Sequence, residues 1–219
     1  MDNNSLISIN GGNVPTLELL LLLTIISLLP TIVIMMSSFT RILIVLSFTR
    51  NALGIQQTPP NMVLIGIALF LTLFIMNPVI EEINTQAYQP YKEQEITQEE
   101  ALDRASVPLK EFMLRQTEIS SVNMYVDLAG IEMPEDAAEL PMRVVIPAFM
   151  TSELKRGFMA GFLIFLPFLL IDIIVSSTLM SMGMIMLPPA TIALPFKLLL
   201  FVTVDGWSLI FKALVAGFY

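Results

Sequence analysis

Two runs of residues with no formal charge, 19–40 and 51–80, and a third, 157–187, broken only by Asp172, limit what this chain can fold into. Residues 19–40 open on five consecutive leucines, and a helix of about 20 apolar residues crosses a bilayer core of about 30 Å. Residues 62–80, ending near Asn77-Pro78, give a second span candidate. A fourth apolar stretch, 190–219, carries only Lys197, Asp205 and Lys212, and Pro188-Pro189 separates it from the third because a double proline cannot continue a helix. Charged residues make up 14% of the chain, against about 25% in an ordinary soluble domain. The expected fold is all-α and membrane-associated: long helical hairpins with a small helical extracytoplasmic subdomain. Its parts would be a polar tail over 1–16, an apolar hairpin over 17–80, an acidic helical subdomain over 81–156 and a second apolar hairpin over 157–219 with a Met/Pro-Pro loop.

The third stretch is too long for a simple span. As one helix, residues 157–187 would reach about 46 Å, so it should tilt, break or lie outside lipid. A helix packed inside a large protein assembly can be as apolar as one facing lipid, and hydropathy alone does not separate the two.

The net charge of −8 sits in one place. Residues 81–156 hold fifteen of the nineteen acids and seven of the eleven basic residues, while the flanks balance. No basic patch exists to neutralise phosphates, which argues against nucleic acid as a partner. Arg41 and Arg50 lie between the first two apolar runs with no acid nearby in sequence, so the positive-inside rule puts that connection in the cytoplasm and the acidic segment outside. The start, Met1-Asp2-Asn3-Asn4, has no basic region and no A-x-A site follows, so a secretory signal is not expected.

The acidic segment reads as folded helix. Thr97-Gln98-Glu99-Glu100 fits a capping box, and Leu109, Phe112, Met113 and Gln116 follow at helical spacing after Pro108, read as a first-turn proline. Ser121 is expected to cap a short helix ending at Gly130, and Pro134 and Pro147 to open further helices.

The chain has no His and no Cys, which removes the usual general base, thiolate chemistry and the commonest metal ligands. Neither an enzyme nor a cofactor site is expected. Asp172 and Asp205 are the only pair available to an intramembrane aspartyl protease, and neither lies in a Gly-x-Gly-Asp context. Asp172 and Lys197 sit deep in apolar sequence, where an ionised group costs roughly 2.5–3.5 kcal/mol, so both need partners. Structural ion pairs are the main reading; the alternative function is a small ion-coupled membrane transporter using Asp172 and Lys197, against which no repeat symmetry relates residues 19–80 to 157–219. Met180, Met182, Met184 and Met186 recur at every second position beside Gly183, as core filler or as a deformable seal.

Several strings go beyond class. Ser38-Phe39-Thr40-Arg41-Ile42, Gln56-Gln57-Thr58-Pro59-Pro60-Asn61, Glu111-Phe112-Met113-Leu114-Arg115-Gln116-Thr117, Ile146-Pro147-Ala148-Phe149 with Ser152-Glu153-Leu154-Lys155, Leu194-Pro195-Phe196-Lys197 and Val204-Asp205-Gly206-Trp207 together resemble the FliP family of flagellar type III export-gate proteins. The injectisome class SctR shares much of the pattern, and the flagellar branch is closer. The resemblance covers nearly all of 30–219. It implies a pore-forming gate subunit of the bacterial inner (cell) membrane and flagellar basal body, passing unfolded flagellar proteins and nucleating assembly of the export apparatus. It implies a homo-oligomer of about five copies, with FliQ and FliR as partners and FlhA and FlhB nearby. The family's methionine gasket would fall on Met184, Ile185 and Met186, with isoleucine in place of the central methionine. The family pattern also implies an ion pair between Glu153 and Lys197 of neighbouring subunits, and a further pair between Asp172 and Arg41.

Overall fold

A computed structural model describes residues 6–9, 12–55, 57–184 and 186–219. Residues 6–15, expected as tail, include an antiparallel hairpin of β1 (Leu6–Ile9) and β2 (Gly12–Pro15), with Ile7 opposite Val14. The rest of the described chain is helices joined by turns and short loops. It comprises α1 (Thr16–Met35), α2 (Phe39–Ala52), α3 (Asn61–Ile83), α4 (Gln89–Lys92), α5 (Gln98–Gln116), α6 (Ile119–Ala129), α7 (Met142–Ser181), α8 (Pro189–Thr203) and α9 (Gly206–Ala216).

The run 19–40 does not continue as one helix. Ser37 Oγ donates to the Ile34 carbonyl and accepts from the Phe39 amide, which diverts the backbone and starts α2 as a separate helix. The connection between the first two spans is therefore itself a helix. Arg41 lies inside it, only 6% exposed, so one of the two arginines behind the orientation expectation is a core residue and not a loop charge.

α2 is the centre of the molecule. Ile42, Val45, Leu46 and Thr49 are fully buried against α7, where Val145, Ala148, Phe149 and Ser152 are buried in turn. Close approach continues further along α7 because Gly157 and Gly161 stand four apart on one face. A Cβ at Gly157 would lie 3.2 Å from Ile44, and one at Gly161 would lie 2.5 Å from the Phe48 ring. Phe48 in turn meets the edge of Phe158 at 5.5 Å between centroids.

The acidic segment folds onto the first part of α7. Thr97 Oγ1 accepts the Glu100 amide as the start of α5 requires, while the Glu100 carboxylate takes Arg104 one turn on, at 2.7 Å. Pro108 sits inside α5 and not in its first turn. Glu118 holds the cap position of α6, Ser121 is inside that helix, and Gly130 ends it with φ of 63°. Pro134 lies in a loop before a short 3-10 turn, Ala137–Glu139. α3 passes through a π-helical turn, Asn84–Tyr88, into α4.

α7 begins at Met142, so Pro147 does not open it; Pro147 and Pro167 are both carried inside a single helix of 40 residues, about 60 Å long. Each proline removes one backbone hydrogen bond, and the neighbouring turns carry the helix through. The overlength of the apolar stretch is met by one continuous rod. Its first half is clamped by α2, α5 and α6, and its second half exposes Leu163, Leu170, Ile173 and Ile174. α3 with α4 and α7 are each long and apolar enough to cross a membrane, as are α8 and α9 together despite a 61° bend. At that bend Asp205 adopts a left-handed conformation and Gly206 lies under the Phe201 ring, where any side chain would collide.

Candidate functional site

Three polar or sulfur-rich features stand out from an otherwise apolar frame. The first is a knot around Arg41. Its Nε donates to Glu153 Oε2 at 3.0 Å, Nη2 meets Glu153 Oε1 and also donates to Gln116 Oε1 at 3.1 Å, and Nη1 donates to the Gly217 carbonyl at 3.2 Å. The guanidinium stacks over the Phe218 ring, 3.9 Å from its centroid. Gln116 closes the loop by donating to the Phe218 carbonyl at 3.1 Å. Four segments far apart in sequence are thereby tied: α2, the end of α5, α7, and the turn after α9. Glu153 has no solvent exposure, which makes the pairing obligatory because an isolated buried carboxylate would be costly.

The second is the pair of Lys197 on α8 and Asp172 on α7, with Nζ to Oδ2 at 2.6 Å. Lys197 Nζ also donates to the Ala52 carbonyl at 3.1 Å, at the C-terminal end of α2, where a cation is favoured by the helix dipole. Gly54, with φ of 77°, lets the chain turn away just beside the ammonium. Among the described residues Asp172 Oδ1 has no hydrogen-bond partner, and the pair borders a cavity of about 360 Å³ shared with Asn51 and Phe165.

Sequence reasoning named all four charged residues, and within the chain they form two separate pairs at opposite ends of α2, with other partners than expected. The expected pairs were Glu153 with Lys197 and Asp172 with Arg41; the observed ones are Arg41 with Glu153 and Lys197 with Asp172, both within one chain. The reason is position along α7. Glu153 lies nineteen residues before Asp172, about 28 Å along the axis, so it faces the start of α2 while Asp172 faces its end. Gln116, Arg156 and the Gly217 and Phe218 carbonyls were missed. Gln116 did carry a signal: it is a polar residue on the apolar stripe of α5.

The third feature is the loop between α7 and α8. α7 ends in a Schellman turn: Gly183, at φ of 73°, donates to the Met180 carbonyl at 3.0 Å, and Met184 donates to the Leu179 carbonyl at 3.0 Å. This takes Met182, Met184 and Met186 off the helix. Met186 is 96% exposed and Met184 43%. Ile185 lies outside the described residues.

Span-length apolar helices, fastened to one another by buried ion pairs and joined by an exposed methionine loop, define a class: a helical membrane-type protein whose polar groups serve helix-to-helix register. The chain belongs to the FliP family, whose profile matches residues 22–214. It is similar to proteins named "Flagellar biosynthetic protein FliP" from several bacteria. That of Bacillus subtilis (strain 168) is 52% identical over 203 residues, covering 93% of this chain and 92% of the relative. That of Pectobacterium carotovorum subsp. carotovorum is 51% identical over 212 residues, covering 96% and 82%. That of Aquifex aeolicus (strain VF5) is 48% identical over 212 residues, covering 95% and 88%.

Proposed function

We propose that the chain works in the flagellar export apparatus as a pore-forming, non-enzymatic gate subunit of the bacterial inner membrane. Several copies, joined by FliQ and FliR and standing near FlhA and FlhB, surround a channel for unfolded flagellar proteins, and their association nucleates the apparatus. The acidic helical segment faces outward and the methionine loop faces the channel. The observation that carries this reading is the loop itself, presented off the end of a 40-residue helix with Met186 almost wholly exposed. Methionine is flexible and polarizable, so a ring of such loops can close on itself and still deform around a passing chain.

The two ion pairs act inside each subunit in this account. They fix how α7 sits against α2 and α8, and so where the loop is held. The test exploits the absence of Cys in the chain. A single Met186→Cys variant, assembled in membranes and oxidised, is expected to give disulfide-linked dimers of this chain. Monomer alone under oxidation, with assembly intact, would remove the loop from a shared channel. A control Cys at exposed Leu102 on α5 should not cross-link.

A further inference from the structure

Fifteen methionines and no cysteine make the thioether the oxidisable sulfur of this chain. The methionines are not spread evenly. Met180, Met182, Met184 and Met186 crowd into one short segment, inside a stretch, 173–196, that holds no formal charge. α7 ends at Ser181, and the turn at Gly183 carries the last three off the helix, with Met182 and Met186 strongly exposed and Met184 partly so. A Cβ added at Gly183 would meet nothing within 4 Å among the described residues, so the turn stands clear of packed neighbours. Met76 and Met113, by contrast, are buried in the core.

Exposure opens these sulfurs to a reaction that burial prevents. The sulfur lone pair attacks an oxygen of a peroxide: an S–O bond forms and the O–O bond breaks. The departing hydroxide takes the proton of the transferred hydroxyl and leaves as water, so that methionine is oxidised to its sulfoxide as hydrogen peroxide is reduced. The product replaces a flexible apolar tip by a polar one whose oxygen accepts hydrogen bonds from water. An apolar constriction closes by excluding water, and polar oxygens at its narrowest ring favour water instead.

We propose that Met184 and Met186 are an oxidation site, at which peroxide-class oxidants entering the channel turn a dry seal into a wetted one. The two stand beyond the Gly183 turn, and Met186, at 96% exposure, leaves its thioether free of the packing that shields a helical methionine. In a ring of copies the same change is repeated around the constriction. Methionine sulfoxide reductases return the thioether, so the change is reversible. The proposal rests on the reading of the loop as the seal.

The experiment records conductance of the assembled complex in planar bilayers before hydrogen peroxide, after it, and after sulfoxide reductases of both stereospecificities with a dithiol reductant. Peptide mass spectrometry locates each added oxygen. Wild type is expected to gain one oxygen at Met184 and at Met186, to leak several-fold more, and to recover on reduction. A Met184→Leu, Met186→Leu variant keeps apolar bulk without sulfur, and its leak, compared with its own value before peroxide, should not rise even though exposed Met62 and Met159 remain oxidisable. An equal rise in that variant places the response elsewhere and overturns the proposal, as does the absence of sulfoxide at both loop positions under conditions that oxidise free methionine fully. Sulfoxide at both positions with leak unchanged, while the Met184→Ala, Met186→Ala variant leaks, overturns the oxidation site and leaves the seal standing. Leak unchanged in both cases overturns the seal as well.

Discussion

Glu153 on α7 gives both of its carboxylate oxygens to the guanidinium of Arg41 on α2, in a pair from which solvent is excluded on the Glu153 side altogether. Removing one partner strands the other charge in the core. Glu153→Ala is expected to lower stability by roughly 3–5 kcal/mol. The double variant Arg41→Met with Glu153→Leu should recover most of that loss, because an apolar pair of similar bulk leaves no charge buried. Denaturant unfolding of the detergent-solubilised protein checks both.

The pair of Lys197 and Asp172 should behave more mildly. Asp172 keeps a third of its side chain exposed, so water can take over part of its solvation when Lys197 is lost. Lys197→Met is expected to cost less than Glu153→Ala, and Asp172→Asn in the Lys197→Met background should restore part of the loss. The same unfolding measurement ranks them; a larger loss for Lys197→Met would mean that this pair, and not Arg41 with Glu153, is the main clasp.

Gly161 sets how closely α7 approaches α2. A methyl group there would sit 2.5 Å from Phe48, whose ring is backed by Phe158. Gly161→Ala should cost about 1–3 kcal/mol by overpacking, and a second change, Phe48→Leu, should relieve it. Gly157→Ala, where the nearest atom of Ile44 is 3.2 Å away, should cost less.

Much of this was legible in sequence, and what was legible had local causes. The apolar runs fixed span-length helices, Thr97 marked the start of α5, Gly130 the end of α6, and Pro188-Pro189 the break before α8. What escaped depended on distant neighbours. Pro147 read as a helix opener because a local rule prefers it there, yet packing against α2 and α6 carries the helix five residues further back. Arg41 read as a loop charge because the sequence beside it holds no acid; its partner lies 112 residues away. Which acid met which base depended on the axial positions of Glu153 and Asp172 against α2, and no spacing rule encodes the register between two helices. The methionines were visible as a series beside Gly183, a residue expected to let the backbone turn, and the left-handed Gly183 does take them off the helix.

The acidic segment offers a pH test away from the apolar spans. Glu118 is held below the usual carboxylate range chiefly by a hydrogen bond from Lys155, with partial desolvation acting in the opposite direction. A carboxyl whose pKa is lowered in the folded state stabilises the fold above its unfolded pKa, and that contribution is lost as pH falls through the lowered value. Lys155→Met should therefore melt below wild type at about pH 7, and the two should converge as pH falls below the ordinary carboxylate range and the Glu118 carboxyl protonates. Melting curves across that range decide it; parallel curves at all pH values would show that Lys155 does not act through Glu118.

The central claim is that the exposed methionine loop seals a channel shared between copies. Single-channel conductance of the assembled complex in planar bilayers tests it most directly. With Met184 and Met186 both replaced by alanine, the account predicts a marked rise in ion leak through the closed assembly, because the seal loses its bulk while the helices that hold the loop are untouched. Conductance indistinguishable from wild type, in an assembly of unchanged mass, would contradict it.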